Sequence, residues 1–293
     1  NVPFWRQTSL DFRLVAGDLE ATLERASSLL TADRPESAAS GIYATRGPEA
    51  RLEAELDKLL GAVPVPSGVG AAAVALVGDL DEEWARERLE AVLGSVPVAP
   101  RPESPLLSLA ERSRVVELGF PVAQAQLGYV VPAPPPSDPD SWAWRMLLYV
   151  LSHGYEGRLG KEAISRRGLV YYIDSAYESD GSVARVALKI GVDPGKVVAM
   201  RALLEGELQY LQSRPPTEEE LNVAKQHLVG RRQSAAQSNE EISAALLSEW
   251  IGHGRLLSSE EFATAVGEVP RDAVLRIIPE FAAGAVVEVR GRP

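Results

Sequence analysis

The sequence predicts an α+β fold of two homologous units, each a β-sheet layered with helices, with the first unit incomplete. Three observations predict it. Apolar residues alternate with period two in some segments and recur at helical spacing in others. The strand-then-helix order of the first part returns in the second, and a proline-rich stretch separates the two parts. A length of 293 residues fits about two domains.

Residues 10–16 alternate Leu10, Phe12 and Leu14, which reads as a strand; Asp18 then caps a helix through Leu19, Leu23, Ala26 and Leu30. Pro48 opens a second helix with Leu52, Leu56, Leu59 and Leu60 on one face. Residues 71–77 read as a small apolar strand, and Asp81 caps a helix through Trp84, Leu89, Val92 and Leu93. Prolines at 97, 100, 102 and 105 mark a linker, so the predicted units are residues 1–97, a linker 98–111 and residues 112–293.

Beyond the linker, residues 114–120 and 124–131 read as strands, the second stopping at Pro132. A helix over 142–151 starts at Asp138 or Asp140. Further strands fall near 170–179 and 183–192, the latter alternating Val186, Leu188 and Ile190. An apolar stripe from Val197 to Leu211 and a capping-box start at Thr217–Glu220 give two helices. Helices over 240–252, 259–267 and 271–281 precede a closing strand, 285–289. In the repeat, residues 10–30 match 184–211, and 70–78 match 284–291. The first unit lacks a counterpart to 114–152, and the Asn1 start predicts that an upstream segment has been removed.

Composition narrows the function. Hydrophobic residues make up 45% and charged residues 24%, as in a chain that folds by itself. Acidic residues outnumber basic ones, 41 to 30, for a net charge of −11, which repels nucleic acid and anionic lipid. No apolar run is long enough for a membrane span, and the chain reads as soluble. The absence of cysteine excludes disulfides, thiolate metal sites and thiol nucleophiles while leaving the compartment open, bacterial cytoplasm or periplasm. Much Ala, Leu, Pro and Val, with Arg favoured over Lys, suggests a GC-rich bacterial source.

The three histidines, His153, His227 and His253, are too far apart in sequence for one helix to present two of them as zinc ligands. No nucleophile elbow G-x-S-x-G is present, and the glycines at 154, 157 and 160 lack the Lys-Ser/Thr pair of a phosphate cradle. Those glycines read as a turn or as a peptide-contacting loop. The acidic run 79–90 reads as a solvated helix face. Arg158, Lys161, Arg166 and Arg167 form a basic cluster, suited either to neighbouring carboxylates or to carboxylates of a substrate.

Residues 74–81 (VALVGDLD) with the following Leu93-Gly94-Ser95-Val96-Pro97 resemble the strand-to-helix unit of the M16 zinc peptidases, the insulinase and mitochondrial-processing-peptidase family. Gly157-Arg158-Leu159, then Arg167-Gly168-Leu169-Val170-Tyr171, are similar to that family's Ser-Arg-Leu and Gly-Leu-x-Tyr segments, and Thr217–Leu221 with Ala224-Lys225 is similar to its helix start. The resemblance runs from about Leu10 to the C-terminus and implies two homologous domains forming half of a clamshell that encloses an extended peptide, partly by strand addition to a sheet edge.

In active relatives the first domain carries an inverted zinc motif, and the second supplies an Arg and a Tyr seven positions apart. Tyr171 matches the Tyr, but the Arg position falls on Ile164, leaving Arg166 or Arg167 as substitutes. The resemblance thus implies a substrate-binding set of Tyr171, Arg167, Arg166, Gly154 and Gly157, with neither catalytic nor metal residues. No cofactor is expected in this chain; zinc is expected in a partner or in a missing N-terminal segment. The expected function is a non-catalytic subunit that binds peptide and pairs with a zinc-bearing homologue, or with itself as a homodimer, to form a peptidase chamber. Two alternatives stand beside it: the C-terminal portion of an active zinc metallopeptidase, and a structural scaffold of the same fold.

Overall fold

The computed structural model describes residues 18–31, 47–61, 73–94, 107–235 and 237–291. Helix α1 spans Leu19–Thr31 and buries Leu19 and Leu23. Helix α2, Pro48–Leu59, starts after an extended Gly47 with its proline in the first turn, where the missing N–H costs nothing. Helix α3, Glu82–Leu93, is capped by Asp81, whose carboxylate accepts from the Trp84 amide at 2.8 Å. An ion pair at 3.1 Å between Arg88 and Glu20 joins α3 to α1.

The rest forms one sheet with its helices. In chain order come β1 (Ser113–Leu118), β2 (Ala125–Ala133), α4 (Asp140–Ser152), α5 (Arg158–Gly160, continuing as π-helix over Lys161–Arg166), β3 (Asp174–Ser179) and β4 (Ala184–Val192). Helices α6 (Val197–Ser213), α7 (Glu218–Ala235), α8 (Asn239–His253), α9 (Ser259–Gly267) and α10 (Arg271–Phe281) lead to β5 (Ala285–Gly291). The sheet order is β1-β5-β2-β4-β3; β1 and β5 are parallel, the other pairs antiparallel.

Strand alternation sorts the two faces. On one, Leu127, Tyr129, Val131, Val186, Leu188 and Ile190 meet Trp144, Met146 and Leu147 of α4, Met200 and Leu204 of α6, and Phe281 of α10. Buried Tyr129 donates its hydroxyl to the Phe281 carbonyl and accepts from the Gly284 amide at 3.1 Å, tying β2 to the turn before β5. On the other face, Val130, Ala285, Val287 and Val289 are covered by Leu52, Leu56, Leu59 and Leu60 of α2. Gly128 permits that approach: a Cβ there would lie 2.7 Å from Leu52 Cδ1 and 3.1 Å from Leu56 Cδ2. Helix α2, which belongs to 1–97 by sequence, therefore packs on the sheet formed by 113–291.

Ion pairs reinforce this seat. Arg185 of β4, 1% exposed, reaches Glu178 of β3 and both Glu53 and Asp57 of α2. Lys189 pairs with Glu53 and Glu178. Glu55, also buried, meets Arg51, Lys58 and Arg114.

Several expectations need correction. Residues 73–77 are irregular, because no other described segment offers them a ladder, and an apolar run without one leaves its backbone groups to other partners. The repeat that matched 70–78 to 284–291 is therefore not seen in the described residues, and the predicted strand 10–16 lies outside them. Strand β3 starts at Asp174 rather than near 170. Strand β2 runs through Pro132, paired with Arg185, at a point where β5 has ended and no longer needs a donor from it. Helices α4, α6, α7, α9 and α10 stand where spacing and caps put them, including the Thr217–Glu220 capping box.

Candidate functional site

The predicted site residues cluster around α5 and the lead-in to β3. Helix α5 follows a turn in which Gly154 has a φ of +42°, and its backbone is pressed against that turn: a Cβ on Gly160 would meet the Gly154 carbonyl oxygen at 1.7 Å. A Cβ on Gly157 would likewise lie 2.4 Å from the His153 amide nitrogen. Steric need alone thus accounts for glycine at 157 and 160.

Arg158 anchors the segment. Its guanidinium grips both Glu220 oxygens, each at 2.7 Å, and donates to the Arg214 carbonyl at 2.6 Å, fastening α5 to the start of α7. The pairing with Arg158 holds the Glu220 carboxyl down at about 2. Arg166 and Arg167 both face Glu162, and Lys161 lies 3.8 Å from Glu156. Each member of the basic cluster therefore already has a carboxylate of its own chain, which favours the first of the two roles read from the sequence. Arg166 and Arg167 remain exposed and share one partner, so they retain capacity for a further acceptor. Ile164, where the family pattern has arginine, packs against the core.

Tyr171 is 89% exposed and Tyr172 54%, an unusual display for two successive aromatic rings. They stand just ahead of β3, the last strand of the sheet, whose outer edge pairs with no other described strand. Lys196 steadies the turn before them by donating to the Gly168 carbonyl at 2.9 Å. Among the described residues no hydrogen bond ties Tyr171 to Arg166 or Arg167.

The histidines are brought into two places. His153 and His227 have ring centroids 4.0 Å apart, and both lie against Tyr149. Burial, with His153 and Arg231 beside it, pushes His227 down to about 4, and burial with Arg231 also lowers His153. His253 instead stacks on Trp142 at 6.1 Å. Among the described residues no three His, Asp or Glu side chains come together as a metal would need, so the donor set does not fit zinc.

Sequence reasoning missed Arg145, the one cation inside the apolar run of α4. Its guanidinium lies between the rings of Trp142, at 4.6 Å, and Tyr177, at 4.4 Å. Burial lowers the Arg145 pKa and pushes the Tyr177 hydroxyl up to about 12. A charged residue in the sequence Trp-Ala-Trp-Arg-Met-Leu-Leu was the available signal.

The sequence profile of the peptidase M16 inactive domain matches residues 70–228, which includes both the Val74–Asp81 and the Arg158–Tyr171 segments. No curated protein matches the sequence. Among solved structures, a peptidase M16 inactive domain from Pseudomonas fluorescens superposes with a TM-score of 0.71 at 19% identity, over 95% of this chain and 76% of that one. A protease from Helicobacter pylori gives 0.56 at 18% identity, over 73% of this chain and 53% of that one. A chain of complex III2 from Candida albicans gives 0.58 at 11% identity, over the same shares, 73% and 53%. This chain thus spans about half the length of the last two, and at these identities the likeness is one of fold. With more than half of its residues matched by the profile, the chain belongs to the peptidase M16 inactive-domain family.

Proposed function

We propose that this chain is a non-catalytic, peptide-binding half of an M16-type chamber that pairs with a zinc-bearing homologue. The observation that carries the reading is the outer edge of β3, which pairs with no other described strand, with the exposed Tyr171 just ahead of it. An unpaired edge is a template for an extended peptide, whose backbone supplies the missing hydrogen bonds without regard to sequence. Exposed tyrosines offer apolar area and a hydroxyl to such a strand at little entropic cost. Zinc and the general base come from the partner, since the described residues of this chain do not fit the metal.

The test is to mix the purified chain with a zinc-bearing M16 homologue and follow cleavage of a quenched fluorescent peptide. The chain alone is expected to leave the peptide intact, the two proteins to co-elute, and cleavage to rise by about tenfold over the homologue alone. Chelator-sensitive cleavage by the complete gene product alone would instead favour the portion-of-a-peptidase reading. A second reading has its own support in the likeness to a chain of complex III2, an assembly in which this fold is a component. On that reading the chain is a scaffold, and it would neither bind extended peptides nor alter cleavage.

A further inference from the structure

Arg145 is the feature that the reading above leaves unused. Its Nε is sealed from solvent with no hydrogen-bond partner, and no Asp or Glu among the described residues pairs with it. The carboxylates of neighbouring elements are engaged elsewhere. Asp140 binds Arg276 through both oxygens, at 2.8 and 2.9 Å. Glu249 pairs with Arg232, and Asp138 accepts from the Asp140 amide at 2.8 Å. The other titratable groups near the guanidinium are the Tyr177 phenol, which donates to the Pro134 carbonyl and takes a side-chain hydrogen bond from Arg145, and His253, which stacks on Trp142. A largely buried guanidinium clasped by two aromatic rings, with no anion beside it among the described residues, is a half-completed recognition site.

Its position says which anion. Tyr177 belongs to β3, whose outer edge pairs with no other described strand, and Arg145 rests directly on the Tyr177 ring. In register, Glu178 of β3 turns toward Arg185 and α2, while Ser175 and Tyr177 turn toward α4. A peptide strand added to the β3 edge places every second side chain on the α4 face, next to Tyr177, with Cβ atoms about 5 Å apart across the ladder. A Glu or Asp side chain at that position has the reach to meet the guanidinium.

We propose that Arg145 receives a carboxylate side chain of an extended peptide paired to β3, so that the chain selects acidic peptides. This inference rests on the peptide-binding reading above and adds a substrate class to it. Arg145 is then a specificity-determining residue in a cleft otherwise indifferent to sequence, because backbone pairing gives affinity and the side-chain site gives selection.

The test uses blocked, fluorescein-labelled ten-residue peptides of alternating Thr and Val, with one Glu moved along the chain, each beside its Gln counterpart. Fluorescence anisotropy with the full chain is expected to show one register in which Glu binds about tenfold more tightly than Gln. In Arg145→Met that ratio falls to about one while the affinity for the Gln peptide stays, and Arg145→Lys keeps part of the preference. Peptides that bind with no Glu preference in any register overturn the role of Arg145 and leave the peptide reading standing. Failure of every peptide to bind overturns both. A preference that survives in Arg145→Met assigns it to another cation, and loss of a homologue complex rather than of peptide selection assigns Arg145 to a protein partner; either overturns the proposal. Should Arg145→Met not fold, the Glu/Gln ratio of the unaltered chain, read beside Arg145→Lys, decides the matter.

Discussion

Replacing Arg185 with alanine is expected to destabilise the protein by about 3–5 kcal/mol, the cost of breaking a buried charge network from one side. The guanidinium is 1% exposed and donates to Glu178 at 2.6 Å, Asp57 at 2.8 Å and Glu53 at 3.2 Å. Without it Glu53 and Glu178 share the single ammonium of Lys189, and Asp57 loses its contact with β4. Urea unfolding measures the loss as a lower midpoint at similar slope. Adding Glu178→Gln to Arg185→Ala removes one of the stranded charges and is expected to recover part of the stability; additive losses would mean that the two groups are not coupled.

A chain consisting of residues 107–293 alone is expected not to hold a native tertiary structure. Its length suffices for a domain and it contains every strand of the sheet. It lacks α2, however, and so exposes Val130, Val287 and Val289 and leaves Arg185 with only Glu178 of its three acids. Losing the burial of Leu52, Leu56, Leu59 and Leu60 removes roughly 6–12 kcal/mol, at about 1.5–3 kcal/mol per side chain. That equals the whole stability of many domains. Retained far-ultraviolet dichroism with lost near-ultraviolet signal and dye binding would show a collapsed, unpacked state. A sharp melt at the temperature of the full chain would show instead that α2 is an ornament on an independent sheet.

How far this could be read from sequence depended on whether the cause was local. The helix over 48–59 was legible because Pro48 and the leucine spacing are sufficient in themselves, and β4 was legible because Val186, Leu188 and Ile190 alternate. That α2 covers the sheet was not, since Arg185 and Asp57 meet across 128 residues. Residues 73–77 have strand-like side chains, but a strand exists only with a ladder partner, which composition does not reveal. At the candidate site, exposure of Tyr171 and the shared Glu162 of Arg166 and Arg167 needed the folded chain. The pairing of His153 with His227 also depends on the packing of α4 against α7, which places two distant residues 4.0 Å apart. Arg145 went unnoticed in the apolar run of α4, and the lack of a carboxylate beside it among the described residues appears only when the surrounding acids are assigned to their partners.

Strand addition at β3 makes one demand that other modes of binding do not share: amide protection must appear on that edge. Hydrogen exchange of the full chain, measured with and without an excess of an extended ten-residue peptide, tests this most directly. The account predicts slowed exchange confined chiefly to residues 174–179 and the preceding Tyr171–Tyr172 segment. A peptide N-methylated at alternate residues, unable to complete the ladder, is predicted to give no such protection. Unchanged exchange on β3 under conditions where peptide is bound would contradict the account.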